Sequence, residues 1–337
     1  MPFAYIPPPP TNGVHLGPLF VHFYGLMYVV GIALAVYIGR RRWRAAGGDP
    51  ALVDEIALWG VPAGIIGGRL YFDVTTPKYI PHVWYGFLAV WDGGLGIWGG
   101  VALATVVGVW RVKRSRAAVL PFMDAVAPAI LCAQAIGRIG NYFNQELFGG
   151  PSSLPWALKV DDQFRPAGYL DQATFHPTFL YELIWDLALA AFLVWLGHRT
   201  RRAPAAADAS ALASAASRRP LVRPGSLFAL YVAGYSAFRM FEESLRVDPS
   251  EHFLGLRLNF YVAAVLTVLA LLWFAHLQRR PTPPSPATDA ATPAPTEPAS
   301  EAPTPSETPE PDTAEPAGPE SPTPDQPDTT RPARSRR

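Results

Sequence analysis

An arginine, two amides and a carboxylate stand close together in one short segment of the chain, Gly137 to Gly149. Its polar members are Arg138, Asn141, Asn144 and Glu146. The segment follows an apolar run typical of a membrane helix, and polar groups at membrane depth are costly and usually kept for a functional reason. An arginine can bind a phosphate, and amides can bind other oxygen atoms of a ligand. A carboxylate can orient the arginine and the amides. The segment therefore indicates chemistry on a phospholipid.

A second group of polar side chains recurs at intervals of four along a later apolar run. The group consists of Tyr235, Arg239 and Glu243. Residues four apart share one face of a helix, so these side chains point in a similar direction. Arg239 lies six residues before the end of its run, which is roughly 9 Å below the boundary at 1.5 Å per residue. Tyr24 and His176 also lie near the ends of apolar runs.

The composition excludes several classes of protein. Half of the 337 residues are apolar and only 16% are charged, which is too little charge for an ordinary soluble domain. The net charge of +1 gives no indication of a nucleic-acid partner. The single cysteine, Cys132, excludes a disulfide framework, and no metal-ligand spacing is present. We therefore expect no cofactor, no metal and no nucleic acid.

The apolar runs predict an all-α, polytopic membrane protein. Spans of about 20 residues match a hydrocarbon core of roughly 30 Å. Seven runs qualify: 19–39, 55–74, 94–110, 121–139, 177–197, 225–245 and 257–276. The third begins with several glycines, which favours a broken helix start. The N-terminus lacks a basic flank followed by an apolar core, so the first span is expected to act as the targeting signal.

The distribution of arginine and lysine predicts the orientation. Basic residues follow the first, third, fifth and seventh spans, whereas the loops between are poor in them. The positive-inside rule then places the N-terminus outside and the C-terminus in the cytoplasm. With this orientation the two polar groups, Tyr24 and His176 all lie in the outer half of the membrane. We therefore expect a site that faces the outer leaflet.

The same pattern predicts the domain organisation. Residues 1–18 form an external N-terminal segment, and residues 19–280 form the transmembrane catalytic domain. That domain contains a small external cap at 141–176, after the fourth helix, and a cytoplasmic insert at 198–224. Residues 281–337 are rich in Pro, Thr, Ala and Glu and cannot bury a core, so they are expected to be a disordered cytoplasmic tail.

Each polar residue also has a structural explanation when it is taken alone. Arg239 and Glu243 would form a simple ion pair, and Arg138 would snorkel to the interface. Tyr24 would be an interfacial aromatic residue, the two asparagines would cap a helix, and His176 would satisfy a helix start. Taken together they favour function, because anchoring does not require a carboxylate beside each cation.

The order and content of five segments resemble one bacterial family. Gly137–Gly149 matches its signature of glycine, arginine, any residue, glycine and asparagine, followed by asparagine, glutamate and glycine. The other matching segments are Tyr24–Tyr28, Trp91–Gly100, His176–Glu182 and Tyr235–Arg246. From about residue 18 to 276 the chain resembles the phosphatidylglycerol–prolipoprotein diacylglyceryl transferases.

The resemblance implies a reaction and its partners. The diacylglyceryl unit of phosphatidylglycerol would move to the lipobox cysteine of a preprolipoprotein signal peptide, forming a thioether and releasing glycerol phosphate. The enzyme would work among membrane lipids in the bacterial cell membrane. The catalytic residues would be Arg138, Arg239, Glu243 and Tyr235. Tyr24, Asn141, Asn144, Glu146, Gly149 and His176 would bind the substrate.

One position departs from the family pattern. Many members carry a histidine where this chain has Trp98, and tryptophan cannot accept the thiol proton because its indole only donates. The alternatives are His176, Glu243, a water molecule, or an arginine field that lowers the pKa of the thiol.

A transporter of a small anionic solute is the rival function of another class. Charges inside membrane helices and glycine-rich broken helices suit transporters as well. The sequence has no internal repeat that relates two halves, and its polar residues gather on one side rather than at the midplane. Both observations favour the transferase.

Overall fold

The computed structural model describes residues 5–201, 222–250 and 252–279. The predicted tail at 281–337 and residues 202–221 of the predicted insert lie outside the described residues. The described part contains seven long helices: α1 (Phe23–Ala45), α2 (Ala51–Thr75), α3 (Ile97–Arg114), α4 (Val119–Asn144), α5 (Thr178–Arg201), α6 (Ser226–Leu245) and α7 (Leu258–Arg279).

Five of these helices, α1, α2, α4, α5 and α7, are long and apolar enough to cross a membrane. Large apolar side chains on them face outward, among them Leu58, Val74 and Leu272, which are 68%, 80% and 61% exposed. Outward-facing apolar surface of this kind is expected of helices that contact lipid. The mostly helical, multi-pass membrane architecture is therefore confirmed, while the count of seven spans and the orientation stay predictions.

α3 and α6, the two long helices outside this group, each carry three charged residues. The last turn of α3 holds Arg111, Lys113 and Arg114. α6 holds Arg239 together with two adjacent glutamates, Glu242 and Glu243. The charges of α6 therefore belong to the region in which the sequence predicts a site.

Several predicted boundaries were wrong. Residues 19–22 belong to a hairpin of β1 (Gly13–Leu16) and β2 (Leu19–His22), because Gly17 turns the chain at a φ of +62° before the helix begins. α4 continues to Asn144 rather than ending at 139, so the predicted cap begins four residues later. α5 continues to Arg201, which shortens the predicted insert from its N-terminal side.

Small residues allow the helices to approach closely. α2 packs against α3 where Gly67 meets Gly99, and a Cβ atom on Gly99 would lie 2.2 Å from the carbonyl oxygen of Gly67. α1 packs against α4 with Gly31 beside Ala133. Contacts between small residues are typical of membrane helices, which lack a hydrophobic driving force for association.

A buried carboxylate fixes the start of α6 on α4. Asp124 of α4 accepts hydrogen bonds from the backbone N–H groups of Gly225 and Phe228, at 2.6 and 2.9 Å. The first N–H groups of a helix have no partner within the helix, and an anionic acceptor suits their partial positive charge. The contact sets the position of α6 relative to α4, and both helices carry site residues.

A small cap follows α4. It contains a two-residue ladder of β3 (Leu158–Lys159) and β4 (Thr174–Phe175), and Ile6 of the N-terminal segment pairs with Leu158. Its own apolar core consists of Phe148, Leu158, Val160 and Phe175. A third hairpin, β5 (His252–Phe253) with β6 (Leu256–Arg257), joins α6 to α7.

The glycine-rich segment before α3 is not helical. Gly93 and Gly94 have φ values of +85° and +80°, and α3 begins only at Ile97. The guanidinium group of the buried Arg69 donates to the carbonyl oxygens of Gly86 and Gly93, at 2.6 and 2.7 Å. Arg69 thus holds the irregular segment against α2, as expected for non-helical backbone beside a membrane helix.

Candidate active site

The two arginines singled out in the sequence lie at matching positions in their helices. Arg138 is six residues before the end of α4, and Arg239 is six residues before the end of α6. At 1.5 Å per residue both lie about 9 Å from their helix ends. Glu182 is four residues after the start of α5, a helix that packs against both α4 and α6.

Glu182 joins the two arginines. Its Oε1 atom lies 3.0 Å from Nη2 of Arg138, and its Oε2 atom lies 3.4 Å from Nη1 of Arg239. The hydroxyl of Tyr235 donates to Oε1 at 3.0 Å. The Glu182 side chain has no exposed surface, whereas the two arginines are about one-fifth exposed. A buried carboxylate therefore holds two guanidinium groups from different helices side by side.

Arg239 has two further carboxylate partners on its own helix. Nη1 donates to Glu242 and Nη2 donates to Glu243, both at 2.5 Å. Glu242 and Glu243 are each 2% exposed. Their spacings of three and four residues place both carboxylates within reach of the same guanidinium group.

Glu243 also belongs to a ring of ion pairs at the end of α6. Nε of Arg257 donates to it at 2.5 Å, and Nη1 of Arg246 lies 3.4 Å away. Both of these arginines bind Asp248, at 2.9 Å from Arg257 and at 2.7 and 2.8 Å from Arg246. Arg239 is thus supported through Glu243 by the loop that follows α6.

Asp248 lies outside the membrane helices, and its ionisation responds to this ring. Partial burial pushes the pKa of its carboxyl upward, but the hydrogen bonds and charges of Arg246 and Arg257 outweigh that effect. The pKa therefore lies below its ordinary value.

Arg138 connects to the end of α4 through an amide. Its Nη1 donates to Oδ1 of Asn141 at 3.2 Å, and Nδ2 of Asn141 donates to Glu146 at 2.8 Å. The sequence suggests that Glu146 orients an arginine or binds head-group hydroxyls. In the structure Glu182 contacts Arg138 directly, and Glu146 reaches it only through Asn141. Asn144 makes no hydrogen bond to described residues through its side chain and lines a separate cavity in the cap.

Three predicted binding residues make no hydrogen bond to the arginine cluster among the described residues. The Tyr24 hydroxyl is 3.0 Å from that of Tyr28. The Nδ1 atom of His176 is 3.1 Å from the Tyr181 hydroxyl. Gly149 donates its backbone N–H to the carbonyl oxygen of His176 at 2.9 Å, and a Cβ atom there would lie 2.8 Å from the Cβ of His176. Gly149 thus permits the close junction between the cap and α5.

The structure adds acidic residues that were not among the predicted site residues. Glu182 and Asp186 stand four apart in an otherwise apolar part of α5, and both are fully buried. Acidic residues inside a membrane helix are a functional signal, so the sequence could have indicated both. Neither carboxyl oxygen of Asp186 has a hydrogen-bond partner in the described part of the chain. Trp98, where the family pattern has a base, lies in the first turn of α3 and is 44% exposed.

The arrangement of the cluster suits an anion with several oxygen atoms. Arginine has five N–H donors in a planar fork. The Nη atoms of Arg138 and Arg239 hold their carboxylate and amide partners, while neither Nε–H group bonds to a described residue. Both guanidinium groups therefore keep a donor for a ligand while their position is fixed by protein carboxylates.

Comparisons with known proteins agree with the motifs. A family model described as prolipoprotein diacylglyceryl transferase matches residues 12–276. Phosphatidylglycerol–prolipoprotein diacylglyceryl transferase 2 of Streptomyces coelicolor is 44% identical over 287 residues, covering 82% of this chain and 83% of its own. Proteins named phosphatidylglycerol–prolipoprotein diacylglyceryl transferase from Cutibacterium acnes and Rhodococcus jostii are 44% and 42% identical, covering 82% and 80% of this chain and 87% and 74% of their own.

These matches confirm the resemblance inferred from the five segments, and they give no support to the transporter alternative. They cover the helices and the cap that position the arginine cluster. The chain belongs to the prolipoprotein diacylglyceryl transferase family.

Proposed function

We propose that the protein transfers the diacylglyceryl group of phosphatidylglycerol to the lipobox cysteine of a preprolipoprotein. The cysteine sulfur, as thiolate, attacks the glyceryl carbon that carries the phosphate. A carbon–sulfur bond forms, the bond from that carbon to the phosphate oxygen breaks, and glycerol phosphate leaves with the electron pair. The thiol proton passes to a base, for which His176, Glu243 and water are the alternatives.

One observation carries this proposal: Arg138 and Arg239 contact the same buried carboxylate, and each lies six residues before the end of its helix. The barrier to displacement at this carbon falls when charge on the leaving phosphate is stabilised and the reactants are positioned. Two guanidinium groups fixed before the lipid arrives meet both needs, since little reorganisation remains during the reaction.

The other residues of the cluster then receive distinct roles. Glu182 and Glu243 position the two arginines, and Tyr235 keeps its hydroxyl beside them. Asn141 and Glu146 extend the cluster toward the cap and suit the hydroxyl groups of the lipid head group. Tyr24, Gly149 and His176 complete the walls of the site around the substrates, and Asn144 lines the cavity in the cap.

We also infer seven membrane spans, an external N-terminus, a cytoplasmic C-terminus and a site facing the outer leaflet of the bacterial cell membrane. The basic loops after alternate helices support this orientation. It is tested with single cysteines at Gln163 and Asp49 in a Cys132→Ser background. A maleimide that cannot cross membranes should label position 163 in intact cells and position 49 only after permeabilisation. The reverse labelling would contradict the orientation.

The reaction is tested with the purified full-length chain, labelled phosphatidylglycerol and a lipobox peptide. Glycerol phosphate and lipidated peptide should appear in equal amounts. Arg239→Ala should lower the rate about 100-fold or more, because it removes a preorganised donor for the leaving phosphate. Arg40→Ala, which removes an arginine from an exposed ion pair with Asp54, should leave the rate unchanged. Absence of both products with the wild-type chain would refute the transferase.

A further inference from the structure

The cap contains a cavity that the proposed chemistry at the arginines does not use. Its volume is about 660 Å3, within the usual range of ligand pockets. Four parts of the chain line it: the N-terminal segment with Asn12, the end of α4 with Asn144 and Glu146, the cap with Gln163, and the α6–α7 loop with Asp248. We call it the cap cavity.

Two residues of the cap cavity wall are linked by polar contacts to the arginine cluster. Glu146 binds Asn141, which binds Arg138, at 2.8 and 3.2 Å. Asp248, another residue of the wall, binds Arg246 and Arg257, and both of these contact Glu243, the partner of Arg239. A molecule that reacts between the arginines could therefore continue directly into the cavity.

The chemistry of the lining suits a polypeptide backbone. The side-chain amides of Asn12, Asn144 and Gln163 make no hydrogen bonds to the residues that the structure describes. Each amide offers a donor and an acceptor, the same pair that a peptide group presents.

The two carboxylates of the wall are already matched, Glu146 by an amide and Asp248 by two arginines. Arg165, which also lines the cavity, is paired with Asp162, and apolar side chains such as Phe164 complete the wall. The lining therefore offers amides for peptide groups, apolar surface and little uncompensated charge.

The position of the cavity indicates which substrate of the reaction it binds. Acyl chains require an apolar path that opens to the lipid, whereas this cavity is lined by the cap, the N-terminal segment and the loop after α6 rather than by lipid-facing helix surfaces. The acceptor cysteine must reach the arginines, and the residues that follow it leave the membrane on the side of the cap. An extended chain advances about 3.3–3.6 Å per residue, so a few residues bridge the cluster and the cavity.

We propose that the cap cavity binds the first residues that follow the acceptor cysteine, as an extended segment whose peptide groups pair with Asn12, Asn144 and Gln163. This inference rests on the proposed transferase function. It gives the enzyme a recognition site for the exported part of the acceptor, separate from the site that holds the lipid phosphate.

The test uses the purified full-length chain, phosphatidylglycerol vesicles and two acceptor peptides with the same apolar segment and cysteine. The short peptide ends one residue after the cysteine, and the long one continues for about five small polar residues. For the wild-type chain, the long peptide should have a KM about tenfold lower than the short one, as expected for a few added hydrogen bonds. The kcat should be similar for the two peptides.

The double variant Asn12→Ala/Gln163→Ala should remove most of this difference by raising the KM of the long peptide alone. Ala167→Trp, at an exposed position of the lining, should have the same effect by filling the cavity. Gln172→Ala is the matched control, because Gln172 is an exposed glutamine of the same cap that does not line the cavity. It should leave the KM of both peptides unchanged.

Equal KM values for the two peptides with the wild-type chain would overturn the inference. Cavity variants that raise the KM of both peptides equally, or that change neither KM, would also overturn it. If the wild-type chain lipidates the short peptide but the cavity variants have no selective effect, only the cavity inference fails. If it lipidates neither peptide, the transferase function fails and the cavity inference fails with it.

Discussion

Glu182 has no exposed surface, yet its carboxylate contacts the side chains of Arg138, Arg239 and Tyr235 from two other helices. Removing one member of a buried ion pair costs about 3–5 kcal/mol, because the remaining charge is left uncompensated. Glu182 faces two such charges at once. It therefore positions both arginines and keeps their spacing constant.

We predict that Glu182→Gln lowers kcat by about 100-fold or more, because the amide cannot hold two guanidinium groups in place for the leaving phosphate. The matched control is Asp186→Asn, one turn further along α5, where a buried carboxyl makes no hydrogen bond to described residues. The control should keep its activity within about threefold, since no preorganised contact is lost. Rates are measured with phosphatidylglycerol and a lipobox peptide. Similar losses in both variants would contradict the positioning role of Glu182.

At the scale of the elements, the helix pairs differ in the residues through which they contact each other. α2 and α3 approach through glycines, whereas α4, α5 and α6 meet through ion pairs and an α4 carboxylate that binds the start of α6. Close glycine contacts allow the backbones to pack tightly. They also make the pair sensitive to a single added methyl group.

We predict that Gly99→Ala destabilises the protein by about 1–3 kcal/mol, the usual cost of overpacking, because its Cβ would collide with the Gly67 carbonyl group. Gly60→Ala is the control in α2, where no heavy atom lies within 4 Å of an added Cβ. The control should be neutral or stabilising by up to about 1 kcal/mol through helix propensity. Thermal unfolding in detergent measures both. Equal midpoints for the two variants would contradict the close contact.

At the scale of the molecule, the cap and the membrane helices are joined by backbone and ionic contacts around one junction. Gly149 and Gly150 pair with the backbone before α5 and at the end of α6. The ring of Glu243, Arg246, Asp248 and Arg257 adds ion pairs beside this junction. Titration of one member of the ring therefore affects how firmly the α6–α7 loop is held to α6.

We predict that Asp248 makes stability depend on pH in the acidic range. The pKa of its carboxyl is lowered in the folded protein, so its stabilising effect is present above the ordinary value of about 3.9 and is lost as pH falls through the folded pKa. Asp248→Asn should lower the unfolding midpoint at neutral pH, and its difference from the wild type should shrink at low pH. Asp171→Asn, an exposed carboxylate of the cap, is the control. A constant difference at all pH values would contradict the prediction.

The sequence by itself determined the membrane class, the approximate helix positions and the two arginines, because apolar runs and costly intramembrane charges are local properties. It also carried the family motifs, which the comparisons confirmed. It missed the hairpin at 19–22 and the extension of α4 to Asn144, since both depend on how a turn and a cap pack against neighbouring segments.

Only the tertiary structure decided which carboxylate serves which arginine. The sequence suggests Glu146 and Glu243 for this task. Glu243 does contact Arg239, but the carboxylate that contacts Arg138 directly is Glu182 of α5, which reaches Arg239 as well. Such pairing depends on which faces of three helices meet, and the order of residues along one helix does not contain that information. The same holds for the cap cavity, whose walls come from four separate parts of the chain.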